Sequence, residues 1–210
     1  MEKSGATVRV EIFSDGVFAI AITLLVLDLK IPSEIDQLTD MGLWTALKTT
    51  WPSYMAFAFS FASIFIMWLN HHTIFRVVTT VDVRTMLANG ILLFFVTLVP
   101  FPTSLLAQGL RTNAEHTAMM LYSGLFVLIN LAYNLLWHSV SRNQGLKNRF
   151  PEETIRLIRN TYWIGLPLYL IAFGIAFYSA PVSLVVCIGL WFFWSLTTRK
   201  FVSVFKTLSI

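Results

Sequence analysis

Apolar residues gather along this chain into six runs of roughly 20 residues, and about 20 is the length at which an α-helix crosses the hydrocarbon core of a bilayer. The runs cover residues 12–31, 52–71, 85–107, 117–138, 161–178 and 182–198, and each predicts a membrane-spanning helix. Only Ser179-Ala180-Pro181 separates the fifth from the sixth, which predicts a tight helical hairpin bounded by Pro181. Pro100, Pro102 and Pro167 are expected to kink their helices. Ahead of the fifth run, Phe150-Pro151-Glu152-Glu153 places a proline in a first turn and two acids at a positive helix end, predicting that this helix begins well before residue 161. Ser33 to Asp36 predicts a short capped turn after the first run. That first run carries Asp15 and ends at Asp28 and Lys30 without a small-residue cleavage site, so it reads as a retained helix and not as a signal peptide.

Composition agrees with this pattern. Charged residues make up 12% of the 210 residues and hydrophobic ones 56%. The charged share is about half the roughly 25% of soluble domains, and the mean hydropathy is +0.70. The expectation is one all-α integral membrane domain over residues 1–210. Twelve of the fifteen basic residues fall before helix 1, between helices 2 and 3, between helices 4 and 5, and after helix 6; Lys30, Lys48 and Arg111 fall on the other side. The positive-inside rule then places both termini in the cytoplasm. Asp28, Glu34, Asp36, Asp40 and Glu115 make the outer face acidic. The pI of 9.4 is accounted for by this topology, and no interleaved basic and aromatic pattern points to nucleic acid. The single cysteine, Cys187, sits in an apolar run and reads as core packing.

The first run holds the most informative polar residues. A carboxylate inside an apolar helix is costly unless paired, so Asp15 is a functional candidate by default. At about 100° per residue, Phe13, Gly16, Thr23, Leu24 and Leu27 fall within about 60° of Ile20 and form one stripe. Ser14 and Asp15 lie about 120° and 140° away, on the opposite side. If Asp15 turns inward, the Ile20 stripe faces either a symmetry mate or lipid, and helix geometry leaves the two open. An alternative places Asp15 near the headgroups as a first-turn acid.

Arg9-Val10-Glu11-Ile12-Phe13-Ser14-Asp15-Gly16 resembles the Arg-x-x-x-Phe-Ser-Asp signature of the bacterial relatives of transmembrane protein 175, an endolysosomal potassium channel. Trp68-Leu69-Asn70-His71-His72 is similar to that family's second polar cluster, and the six-helix count with cytoplasmic termini matches. The resemblance implies single-repeat subunits that assemble as a homotetramer in the bacterial inner membrane, with helix 1 lining a central potassium pore. Ile20 becomes the hydrophobic constriction, with Leu24 and Leu27 as further apolar rings and Thr23 as a polar layer. Arg9, Phe13, Ser14, Asp15, Trp68, Asn70 and His71 become a polar network that fixes the pore helix.

An apolar ring offers no oxygens to replace lost water, unlike a carbonyl filter, and no Thr-Val-Gly-Tyr-Gly sequence is present. Potassium sheds water at lower cost than sodium, so moderate potassium selectivity is expected, with no cofactor beyond the permeant ion. Other polar residues read as structural. His71 and His72 diverge by about 100° and do not chelate one metal; Asn130 and Asn134 share a face suited to interhelical hydrogen bonds, and Asn89 reads the same way. The runner-up function is a proton-coupled secondary transporter using Asp15 and His71, against which the lack of a detectable inverted repeat counts. An intramembrane enzyme would need a nucleophile or metal constellation that the chain does not offer. Membrane lipid and further copies of the chain are the expected partners.

Overall fold

A computed structural model describes residues 3–29 and 39–208. The turn expected at Ser33 to Asp36 and the outer-loop charges Lys30, Glu34 and Asp36 lie outside those residues. The described chain is helical throughout: α1 (Gly5–Leu24) running into a 3-10 turn (Leu25–Asp28), then α2 (Asp40–Thr49), α3 (Trp51–Val77), α4 (Val83–Thr97), α5 (Pro100–Gly109), α6 (Glu115–Ser141), α7 (Gln144–Arg149), α8 (Glu152–Ala176) and α9 (Ala180–Leu208).

Local chemistry explains the boundaries. Ser4 caps α1, its hydroxyl accepting from the Thr7 backbone N–H. The Ser4 N–H and the Thr7 hydroxyl both donate to the Thr79 carbonyl, so the start of α1 is tied to the turn between α3 and α4. Asp82 caps α4 by accepting from the Thr85 N–H at 2.8 Å. Hydrogen bonding from Thr85 holds this exposed carboxyl below its ordinary value. The third expected span is interrupted: Leu98 and Val99 donate to carbonyls three residues back, and α5 restarts at Pro100. Pro100 and Pro102 have no N–H to continue an α-helical ladder, so the break follows from the sequence. Pro167, by contrast, sits inside an unbroken α8.

Five segments among the described residues are long and apolar enough to cross a membrane: Gly5–Leu27, Trp51–Val77, Val83–Gly109, Glu115–Ser141 and Ala180–Phe205. The sixth expected crossing, 161–178, belongs to α8. That helix falls outside the set because Arg159, Asn160, Pro167 and the tyrosines Tyr162 and Tyr169 dilute it. It begins at Glu152, as the proline and paired acids predict, and runs antiparallel along all of α6. Trp137 and Asn134 meet Tyr162, Phe126 meets Tyr169, and His116 Nδ1 at the start of α6 donates to the Ala176 carbonyl at the end of α8.

The core lies around α6. Of its most apolar window 61% is buried, against 22% for α1. Tyr133 stacks on Tyr162 at 5.9 Å, Tyr162 stacks on Trp194 at 5.5 Å, and Phe150 meets Phe205 where α8 begins and α9 ends. Asn134 donates to the Asn130 carbonyl within α6 and to the Tyr162 carbonyl of α8, the second being the interhelical use expected of such an amide. Cys187 is buried, consistent with packing.

Gly165 allows α8 to approach α6 and α9. A Cβ there would lie 2.5 Å from both the Asn130 Nδ2 and the Trp194 Cζ2 atoms, and the indole is rigid. Gly165→Ala is therefore expected to cost about 1–3 kcal/mol. Thermal unfolding in detergent would show a lowered midpoint, and an unchanged midpoint would mean that this contact is not tight.

Candidate functional site

Two faces of α1 have opposite characters. Thr7, Ser14, Phe18 and Ala21 are buried against α3 and α4, with Leu25 continuing that row into the 3-10 turn. Ile20, Thr23, Leu24 and Leu27 lie together on the outer face of the subunit; Ile20 is 58% and Leu27 70% exposed. Phe13 of the expected stripe is exposed as well, and Ile12 and Val26 widen the arc beyond that stripe. The Thr23 hydroxyl donates to the Ile20 carbonyl at 2.9 Å, so its proton is satisfied within the helix while its oxygen stays on the outer face.

The inner face anchors α1 through two separate polar chains rather than the single network that was expected. In the first, the Ser14 hydroxyl donates to the Val10 carbonyl at 2.8 Å, Asn89 Nδ2 donates to Ser14 Oγ at 2.9 Å, and Asn89 Oδ1 faces His71 Nε2 at 2.8 Å. Ser14 has spent its only proton on Val10, so Asn89 must offer its NH₂ to Ser14 and its oxygen to the imidazole. His71 therefore carries its proton on Nε2. The His71 ring is fully buried, stacked on Phe75 at 4.4 Å and tilted against Phe18 at 5.3 Å. Three helices, α1, α4 and α3, are joined in this one line.

In the second chain, Asp15 Oδ1 accepts from the Trp68 indole N–H at 2.8 Å. Trp68 stacks between Phe65 and His72, and His72 Nδ1 lies 3.8 Å from Glu11 Oε1. Lys3 closes the chain with an ion pair to the other Glu11 oxygen. Glu11 and Asp15 on α1 thus face His72 and Trp68 on α3, two i, i+4 pairs meeting across antiparallel helices.

Several expected members lie elsewhere. Arg9 is exposed, and no ion pair among the described residues includes Arg9 or Asp15. It sits six residues before Asp15, about 120° round the helix, which turns the two side chains apart. Phe13 is 65% exposed and shares the arc of Ile20. Asn70 points away from α1: its Nδ2 donates to the Ile66 carbonyl, and its Oδ1 is buried without a protein partner. It lines an internal cavity of about 30 Å³ whose wall includes Tyr162, another buried group with an unpartnered polar atom. Such a volume accommodates water. Asn89, Glu11, His72 and Lys3 are the members that the sequence reading did not place in a network. No group of three or more His, Cys, Asp or Glu side chains among the described residues is arranged to hold a metal.

Comparison with known proteins bears on this geometry. Residues 9–100, which contain most of α1, all of α3 and α4, and both polar chains apart from Lys3, match the family model described as the endosomal/lysosomal potassium channel TMEM175. A protein of Chamaesiphon minutus named a potassium channel is 44% identical over 194 residues, 92% of this chain and 95% of its own length. The crystal structure of a lysosomal potassium-selective channel TMEM175 homologue from the same organism superposes with a TM-score of 0.82 at 42% identity, covering 93% of this chain and 99% of that one. A more distant human relative, named an endosomal/lysosomal proton channel, is 36% identical over 115 residues, 51% of this chain and 23% of its own. With that likeness running along nearly the whole length of this chain and of its Chamaesiphon minutus relatives, this chain belongs to the TMEM175 family, whose members are ion channels and not enzymes.

Proposed function

We propose that this chain is the subunit of a homotetrameric, potassium-favouring cation channel of a bacterial inner membrane. In this reading α8 crosses the membrane as the sixth span, both termini are cytoplasmic, and four copies of α1 line a central pore. The observation that carries the reading is the continuous apolar arc of α1. It stays exposed on a subunit whose polar anchors all turn the other way and carries the Thr23 oxygen, and the likeness to a potassium-selective channel along nearly the whole chain favours a symmetry mate over lipid as its cover. Ile20 forms the constriction, Leu24 and Leu27 form rings beside it, and the Thr23 oxygen is a nearby polar layer. Support for the sixth span is the antiparallel run of α8 along the whole of α6.

The proton-channel naming of the human relative favours proton flux as a second reading. Both are tested in one preparation, purified protein in liposomes under potassium, sodium or proton gradients. Potassium current exceeding sodium current without a coupled ion supports the channel. Proton current without a solute would instead support the second reading, and saturating, proton-dependent uptake of a solute would support a transporter using Asp15 and His71.

A further inference from the structure

We propose that the end of the bundle where α6, α7 and α8 meet is a binding site for an anionic phospholipid, with the phosphate held among arginines and an acyl chain laid in the neighbouring α4–α6 groove. At this end lies a cleft of about 420 Å³, within the ~300–1,000 Å³ of small-molecule sites. It is lined by His138 and Arg142 from the end of α6, Lys147 from α7, and Arg156 and Arg159 from the first turns of α8. Glu152 is the single carboxylate in its wall, and none of the ion pairs among the described residues includes any of these four cations. Four fixed positive charges around one cavity with one negative charge are complementary to a polyanionic oxygen cluster. Guanidinium groups engage phosphate through parallel N–H donors.

The depth of the cleft and what adjoins it select the source of that phosphate. α6 is long and apolar enough to span a bilayer, and the cleft sits at its last turn, where headgroups lie. His138 and Arg142 also line a second groove of about 300 Å³ between α4 and α6, whose floor is Leu87, Ile91 and Leu135. Leu135 lies seven residues before Arg142, about 10 Å deeper along the helix axis. A basic cavity at headgroup level that opens through shared residues into an apolar groove matches an amphiphile. A free phosphate would use the first part alone. Juxtamembrane basic pockets of this kind hold anionic headgroups electrostatically.

Full-length protein in neutral detergent is titrated with phosphatidylglycerol, phosphatidylcholine or inorganic phosphate. Thermal unfolding and native mass spectrometry report stabilisation and bound lipid. Phosphatidylglycerol should stabilise the wild type and remain bound, phosphatidylcholine should do neither, and a variant combining Arg142→Gln, Arg156→Gln and Arg159→Gln should bind it roughly a hundredfold more weakly. These side chains are exposed, so the variant's unfolding midpoint without lipid should match the wild type. Leu87→Trp, which fills the groove, should weaken phosphatidylglycerol retention while leaving the basic cleft intact. Equal stabilisation by inorganic phosphate would overturn the lipid assignment in favour of a free anion. Equal loss on neutralising Lys48 and Arg111, which lie outside the cleft, would reduce the effect to general charge attraction and overturn the site.

Discussion

Ile20→Asn is expected to bring the potassium and sodium permeabilities of the reconstituted channel close together, seen as a reversal potential under opposing gradients that moves toward zero. The reason lies in what four aliphatic side chains at an axis can and cannot do. They supply no oxygen, so an ion passing them keeps part of its shell or gives some up without replacement, and the ion that holds water more loosely is favoured. An amide at the same place offers an oxygen to either cation and wets the constriction, which removes the penalty that separates them. Conductance should rise at the same time because dewetting is relieved. Ile20 is 58% exposed on the subunit and lies outside its buried core, so the subunit fold should be unchanged. A matching unfolding midpoint in detergent checks this. An unaltered reversal potential would place the arc against lipid and remove the basis for the proposed pore.

The opposite faces of α1 were legible because they follow from helix period alone. That Ile20, Leu24 and Leu27 share a stripe with Ser14 on the opposite side requires nothing beyond about 100° per residue, whereas which side is buried does not follow from the period. The early start of α8 was legible too, in Pro151 and the acids after it, whereas the kink expected at Pro100 is a full break between α4 and α5. Apolarity was less decisive for α8 as a span, since Arg159, Pro167 and the tyrosines that serve its packing against α6 lower the very signal by which spans are recognised.

The polar partners were harder to assign, for a reason that residue by residue is physical. Asn70 and Asn89 are both amides in apolar runs, and which of them meets Ser14 depends on whether α3 or α4 presents that face to α1. Neither period nor hydropathy encodes that choice. Part of the answer was nevertheless present in the chain. Asn70 is adjacent to His71 and so about 100° from it, which keeps the two from sharing one target. Arg9 and Asp15 are similarly turned apart. Conversely, Glu11 with Asp15 and Trp68 with His72 each stand at i, i+4, the spacing that puts two side chains on one face. Reading those pairs together points to the contact between α1 and α3 that the structure contains.

Asn89 offers the sharpest test of the anchor. Asn89→Leu removes both halves of the amide at once, leaving Ser14 Oγ without its donor and the His71 Nε2–H without its acceptor, in a place where both residues are fully buried. A buried polar group deprived of its partner costs about 1–3 kcal/mol, so the substitution should lower stability by about 2–4 kcal/mol. The unfolding midpoint should fall, and the yield of assembled protein on gel filtration should fall with it. Ser14→Ala should cost less, because Asn89 then loses one acceptor while the Val10 carbonyl keeps its helical bond. Combining Asn89→Leu with His71→Phe should recover part of the loss, since replacing both partners by apolar groups leaves less unpaired polarity than replacing one. Asp15→Asn provides the contrast: its amide oxygen still accepts from Trp68, so assembly should be near normal and any change in flux belongs to the charge itself. If Asn89→Leu unfolds no more easily than Asp15→Asn, the line from Ser14 to His71 does not hold α1 in place, and the orientation of the Ile20 arc must rest on apolar packing alone.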